Sequence, residues 1–202
     1  MTYDITTVEN AKKTLKNIRK RWPNTKLEEI DYSDFDFVLE HITSNMDECK
    51  DIKLYGLKSL KTMLNEENNT FIEYCRKNTS LSLKEWNELI EYYKNYNNNL
   101  CAFFSYEDAG KTYENNLKNH PPIVDKLKIK MKEWISKSKP YKITVNVKYN
   151  DLKFYIANSN LTINEMLAEN IDDKINKRPV RSDYVEIKRT VEPNKLRIEE
   201  LK

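Results

Sequence analysis

The stretch SDFDFVLEHITSNM (Ser33–Met46) decides how the chain is read. Ser33 and Asp36 stand at the spacing of a helix start. Phe35, Val38, Ile42 and Met46 then recur every three or four residues, the mark of one buried helical face. The stretch therefore predicts a second helix in a helical bundle, with His41 among its acids.

Working back toward the N-terminus, KKTLKNIRKRW (Lys12–Trp22) holds six basic residues in eleven. Val8, Ala11, Leu15, Ile18 and Trp22 fall at intervals of three and four, so the segment predicts an amphipathic helix over 7–22. Thr6 and Glu9 have capping-box spacing, and Pro23 stops the helix. Lys12, Lys16 and Arg19 lie on one flank of the apolar stripe and Lys13 and Lys20 on the other. Trp22 is in phase with the core.

Working forward, the pattern predicts helices over about 51–65 (Ile52, Leu57, Leu60, Leu64) and a shorter one carrying Phe71, Ile72, Tyr74 and Cys75. Another begins at a capping box, Ser82 to Glu85, and buries Leu83, Trp86, Ile90 and Tyr93. Ser105 with Asp108 opens a further helix with Tyr106, Ala109, Tyr113 and Leu117 inward; Gly110 weakens it. Pro121 and Pro122 suit the first turn of a last helix. Its stripe is Val124, Leu127, Met131 and Trp134, and its outer side is Lys126, Lys128, Lys130 and Lys132, followed by Lys137 and Lys139.

The pattern changes at Pro140. YKITVNVKY (Tyr141–Tyr149) alternates, with Ile143, Val145 and Val147 on one side, as a half-buried strand does. Asn150-Asp151 predicts a two-residue turn, and LKFYIA (Leu152–Ala157) returns as the hairpin partner. Thr162 and Glu165 cap a short helix with Ile163, Met166 and Leu167. A third strand is expected over Tyr184–Lys188, and 195–202 is undecided between strand and helix. The expected fold is thus mainly α: a bundle of about seven helices over 1–139, then a small α+β unit with a β-hairpin over 140–202.

Composition narrows the function. The charged fraction is 33%, but the net charge is only +3, and 13 Tyr and three Trp argue for a folded chain. Two glycines in 202 residues leave no Gly-rich phosphate loop. Lys outnumbers Arg 28 to 7 and Asn occurs 24 times, which points to an AT-rich source such as a large DNA virus, a phage or a parasite. Cys49, Cys75 and Cys101 form no Cys-x-x-Cys pair, which fits a reducing compartment. No signal-like or membrane-spanning apolar run is present, so an intracellular protein, in host cytoplasm or nucleus or packaged in a virion, is expected. His41 and His120 have no neighbour at metal spacing. Asp31, Asp34 and Asp36 are explained by a helix N-terminus. No metal site, cofactor or catalytic constellation is read.

Three segments together resemble the helical core-binding domain of tyrosine recombinases over about residues 6–95: TVENAKKTLKNIRKRW, IDYSDFDFVLEHI and KLYGLKSLKTMLNEENNTFIEYCRKN. The likeness is one of helix order and hydrophobic phasing. It implies a compact bundle that clamps DNA. The catalytic part of that family is absent, since His41 reads HITS, His120 reads HPPI and no His-x-x-Arg exists; the resemblance implies a non-catalytic relative that retained binding. The tail, a hairpin followed by a capped helix and a strand, is similar to the start of a β-grasp fold, which implies protein–protein contact.

The basic faces are the leading functional signal, because Lys and Arg clusters neutralise phosphates. The expected function is a non-catalytic nucleic-acid-binding protein, viral in origin. It would contact the backbone of DNA or RNA through Lys12, Lys16, Arg19 and Lys20, joined by Lys126, Lys130 and Lys137. The alternative is a structural or adaptor protein, a virion component or assembly partner. In it the basic block 12–26 meets the acidic block 28–51, where nine acids stand against Lys50, between copies or partners.

Overall fold

The computed structural model describes residues 1–95, 99–108, 122–156, 160–178, 180 and 184–201. Its strands are β1 (Thr2–Tyr3), β2 (Asp36–Asn45), β3 (Leu100–Ala102), β4 (Lys139–Lys148), β5 (Leu152–Phe154), β6 (Val185–Ile187) and β7 (Leu196–Glu200). Its helices are α1 (Val8–Arg21), α2 (Lys50–Tyr55), α3 (Leu60–Leu64), α4 (Thr70–Asn78), α5 (Leu83–Asn95), α6 (Pro122–Lys126), α7 (Met131–Lys137) and α8 (Ile163–Ile175). Among the described residues the strands form a four-stranded sheet, β1-β2-β4-β7, and a three-stranded sheet, β3-β6-β5. The fold is mixed α/β, and the expected seven-helix bundle is not formed.

The correction starts at Ser33–Met46. Its residues Asp36–Asn45 form strand β2, paired in parallel with β1 through Thr2 opposite Asp36 and Tyr3 opposite Phe37. A helix with Phe35, Val38, Ile42 and Met46 inward would have turned Phe37 to solvent; here Phe37 and Leu39 are wholly buried. The inward alternation slips by one between Leu39 and Ile42, because Glu40 is also buried. Glu40 exchanges both backbone hydrogen bonds with Phe103 (2.8 Å each), and its carboxylate accepts from the Tyr106 amide at 2.6 Å. Burying that carboxylate is affordable only because it is hydrogen-bonded. The slip hides the period of two.

Two further helices divide. The expected helix over 51–65 becomes α2 and α3, separated at Gly56. Gly56 has φ +84°, and a Cβ there would lie 2.2 Å from the Val191 carbonyl oxygen, so glycine is required for the Leu57–Val191 bridge. The expected last helix becomes α6 and α7. Lys128 N–H donates to Asp125 and Ile129 N–H to Val124, a Schellman ending with Lys128 at φ 53°. The Lys128 carbonyl then accepts from Ser80, and Thr79 bridges Ile129. This backbone pairing over a span of about fifty residues overrides the local helical pattern. The helix expected from Ser105 onward lies mostly outside the described residues, as do Ala109, Gly110, Tyr113, Leu117 and His120.

The C-terminal strands form, but the hairpin does not. β4 buries Tyr141, Ile143, Val145 and Val147 as its alternation requires. A 3-10 turn over Tyr149–Asp151 then turns the chain away. β5 enters the other sheet, antiparallel to β6, with Leu152 opposite Ile187 and Phe154 opposite Val185. The Thr162–Glu165 capping box opens α8, a full 13-residue helix. The last segment is strand β7.

Compact packing divides the chain into two units, each of three segments. The first takes Met1–His41, Cys101–Thr112 and Thr144–Lys188. Its core is aromatic: Tyr3 stacks on Phe37 (5.0 Å between centroids) and meets Tyr32 and Phe104 edge-on. Burial pushes the Tyr3 hydroxyl well above its usual range, so it stays protonated and donates to the Leu167 carbonyl of α8 at 2.8 Å. The second takes Ile42–Leu100, Tyr113–Ile143 and Arg189–Lys202. Short helices there enclose Leu60, Leu64, Cys75, Trp86, Val124, Leu127, Ile129 and Trp134.

Candidate functional site

Helix α1 begins at Thr7, one residue later than the capping box expected at Thr6. Thr7 Oγ1 accepts from the Asn10 amide at 3.1 Å. Thr6 instead donates to Asp4 Oδ1 (2.7 Å) and accepts from the Asn10 side chain. On the inward face, Ala11, Thr14 and Ile18 are buried. The Thr14 hydroxyl accepts from the Asp4 amide (3.1 Å) and donates to the Asp4 carbonyl (2.8 Å), tying the segment after β1 to the helix. The opposite side carries Lys12, Lys13, Lys16, Arg19, Lys20 and Arg21, all exposed.

Packing of residues 1–4 beside α1 leaves a groove of about 670 Å³, lined by Met1, Thr2, Asp4, Asn10, Lys13, Thr14, Asn17, Lys20 and Arg21. The one carboxylate in it, Asp4, already accepts from the Thr6 amide and hydroxyl. Lys13, Lys20, Arg21 and the Asn17 amide remain as donors. Lys12 and Lys16 stand on the other flank. Among the described residues, none of Lys12, Lys13, Lys16, Lys20 and Arg21 forms an ion pair. Arg21 lies over the Trp22 ring at 4.6 Å, and Trp22 stacks on Phe35. Trp22 is only half-buried, not the core residue its phase implies.

Arg19 behaves differently. Its Nη1 donates to the Thr25 carbonyl at 2.7 Å. It lines a second groove of about 580 Å³ with Lys26, Glu28, Glu169, Asp172, Asp173 and Arg178. There the charges compensate one another: Arg178 binds both Asp172 and Asp173, which raises its guanidinium further.

The acidic block is engaged elsewhere. Asp36 pairs with Lys148 at 2.7 Å, Glu29 with Lys26, and Glu40 is buried against Tyr106. Asp31 accepts from Ser33, which lowers its carboxyl. The other lysine set is not one face. Lys126 lies over the Tyr93 ring (5.7 Å) at the end of α6, Lys130 is the residue before α7, Lys137 ends α7, and Lys139 pairs with Glu200 in β7. Lys130 and Lys137 are exposed but sit on opposite ends of a seven-residue helix.

Other polar groups serve the fold. His41 is half-buried in β2, with Nδ1 2.7 Å from the Cys101 carbonyl; burial lowers its imidazole, so the neutral ring donates. Lys174 of α8 is buried and donates to Ser105 (2.8 Å) and Asp108 (2.7 Å). Among the described residues no three His, Cys, Asp or Glu side chains converge to hold a metal ion. No helix among them is long and apolar enough to cross a membrane.

Lys13 and Arg21 were legible as exposed cations, but only the packing of residues 1–4 makes them groove residues. No protein-family model matches the chain, and neither the curated proteins nor the solved structures give a match.

Proposed function

We propose that this chain is a non-catalytic nucleic-acid-binding protein that holds the phosphate backbone along α1. Its Lys- and Asn-rich composition fits a viral origin in an AT-rich genome. The observation that carries the reading is a single 14-residue helix with six cations, none of which forms an ion pair among the described residues. Like charges at Lys12–Lys16 and Lys16–Lys20 repel at helical i,i+4 spacing, each at about 0.2–0.5 kcal/mol. Arg19, Lys20 and Arg21 are favoured by the negative end of the helix dipole, but Lys12, Lys13 and Lys16 are not. An anionic partner gives this concentration of charge a use, and the groove at Lys13, Lys20 and Arg21 gives it a shape.

A separate observation favours a structural or adaptor role. Leu54 and Tyr55 of α2 and Leu83 of α5 are more than 60% exposed, as an apolar contact surface would be. Size-exclusion chromatography with light scattering, run with and without nucleic acid at low salt, separates the two. A nucleoprotein complex is expected. Self-association that is indifferent to nucleic acid would reverse the order of the readings.

A further inference from the structure

We propose that the groove between β1 and α1 takes an extended acidic peptide, which adds to the open edge of β1 as a further strand. The inference goes beyond the nucleic-acid reading and names a second ligand, a segment of protein.

β1 is an outer strand of the four-stranded sheet, with β2 on one side only. On that side the Met1 carbonyl accepts from the Asp36 amide at 2.8 Å, and Tyr3 lies opposite Phe37. Backbone groups alternate sides along an extended chain, so the N–H and C=O of Thr2 and Asp4 point the other way, toward α1. At Asp4 that pair is occupied. The Thr14 hydroxyl accepts from its amide and donates to its carbonyl, as a neighbouring strand does. Two residues earlier the Thr2 pair points along the same edge, and among the described residues nothing bonds to it. Thr2 is exposed and lines the groove. The opposite wall is one stripe of α1, made of Lys13, Asn17, Lys20 and Arg21 at helical spacings of three and four.

The groove therefore offers one donor and one acceptor, at strand spacing, beside three cations. A phosphate oxygen only accepts, so a phosphodiester meets the Thr2 N–H and leaves the Thr2 carbonyl without a donor. An extended peptide brings both partners at once, which is how strands are added to sheet edges. The cations choose its side chains. A basic segment meets like charge, and an apolar one leaves the cations without a partner. Lys13 to Arg21 is about 12 Å along the helix, the reach of about four extended residues, so alternate acids of one short segment can meet the stripe. Nucleic acid would contact the same cations and competes for them, whereas Lys12 and Lys16 stand on the other flank.

The test uses the full chain, free of nucleic acid, and a fluorescein-labelled Glu-Val-Glu-Val-Glu peptide at low salt, read by fluorescence anisotropy. Saturable binding is expected. Methylating the central backbone nitrogens of the peptide keeps every charge and removes the donors for the Thr2 carbonyl; it should weaken binding about fivefold. Thr2→Pro removes the outward N–H, a change that an edge strand tolerates, and should weaken binding of the parent peptide by about the same factor. Lys13→Gln and Arg21→Gln should each weaken it several-fold, and Lys12→Gln should leave it unchanged. If the peptide does not bind, or binds equally well after methylation and to Thr2→Pro, the β1 edge is not its seat and the inference is overturned. Oligonucleotide binding to α1 is measured separately and is untouched by that result.

Discussion

Two lysine-rich stretches, each containing a tryptophan, look alike in the sequence and differ in the structure. Lys12–Arg21 belongs to one unbroken helix, capped by Trp22, whose six cations are all exposed. Residues 126–139 are broken by the αL ending at Lys128 and distributed over α6, a turn, α7 and β4. Their tryptophans differ too. Trp134 is 1% exposed, and its Nε1–H donates to the buried Ser44 hydroxyl at 2.6 Å; Trp22 is half-buried beside Arg21. A charge pattern reports what lies outside, but whether the charges form one face depends on backbone continuity. At Lys128 that continuity is decided by pairing with residues 78–80.

The sharpest way to break the comparison is matched charge reversal. Lys12→Glu, Lys16→Glu and Lys20→Glu together should weaken oligonucleotide binding more than about a hundredfold at low salt, because three phosphate contacts become repulsive. Lys126→Glu, Lys130→Glu and Lys137→Glu should change it less than about threefold. Equal losses by fluorescence anisotropy would erase the distinction. The tryptophans come next. Trp134→Phe removes a buried donor and strands the Ser44 hydroxyl, and should cost about 2 kcal/mol in urea unfolding. Trp22→Phe keeps its stacking on Phe35 and should cost less than about 1 kcal/mol. Loss of the α1 cap in Thr7→Ala should cost about 1 kcal/mol. Smaller and opposite in sign, Lys128→Gly should stabilise by about 0.5–1 kcal/mol, since glycine accepts the positive φ that lysine resists. A thermal melt of each variant checks both.

Strand β2 is where the sequence misled, and its contrast with β4 says why. In β4 the alternation runs unbroken from Tyr141 to Val147, so a local reading finds the strand. In β2 the alternation slips at Glu40, whose partners Phe103 and Tyr106 lie more than sixty residues away, and the remaining apolar spacing imitates a helix. The short acidic helix that supports the likeness to tyrosine recombinases is this strand. Local signals placed α1, the Thr162–Glu165 box and β6 correctly. The partner of β5, the break at Gly56 and the groove beside α1 depend on tertiary contacts that no local period encodes. Among the site residues, the exposed cations of α1 could be read, and the engagement of Arg19 with Thr25 could not.

His41 gives the mildest test, and it bears on β2 as a strand. Its imidazole is lowered by burial, so the native state binds its proton less readily than the unfolded chain. Stability is therefore fully present above the ordinary histidine range and declines as pH falls through about 6.5 toward the native value. His41→Gln should flatten that decline in unfolding midpoints between neutral and mildly acidic pH. A slope unchanged by the substitution would place His41 in solvent.

The central claim is that α1 holds phosphate, and the salt dependence of oligonucleotide affinity tests it most directly. If Lys12, Lys13, Lys16, Lys20 and Arg21 each neutralise one phosphate, log affinity should fall with log salt at a slope of about −3.5 for a single strand. Each α1 cation replaced by glutamine should make that slope shallower by about 0.7. A slope near zero, or one that the α1 substitutions leave unchanged, would contradict the account.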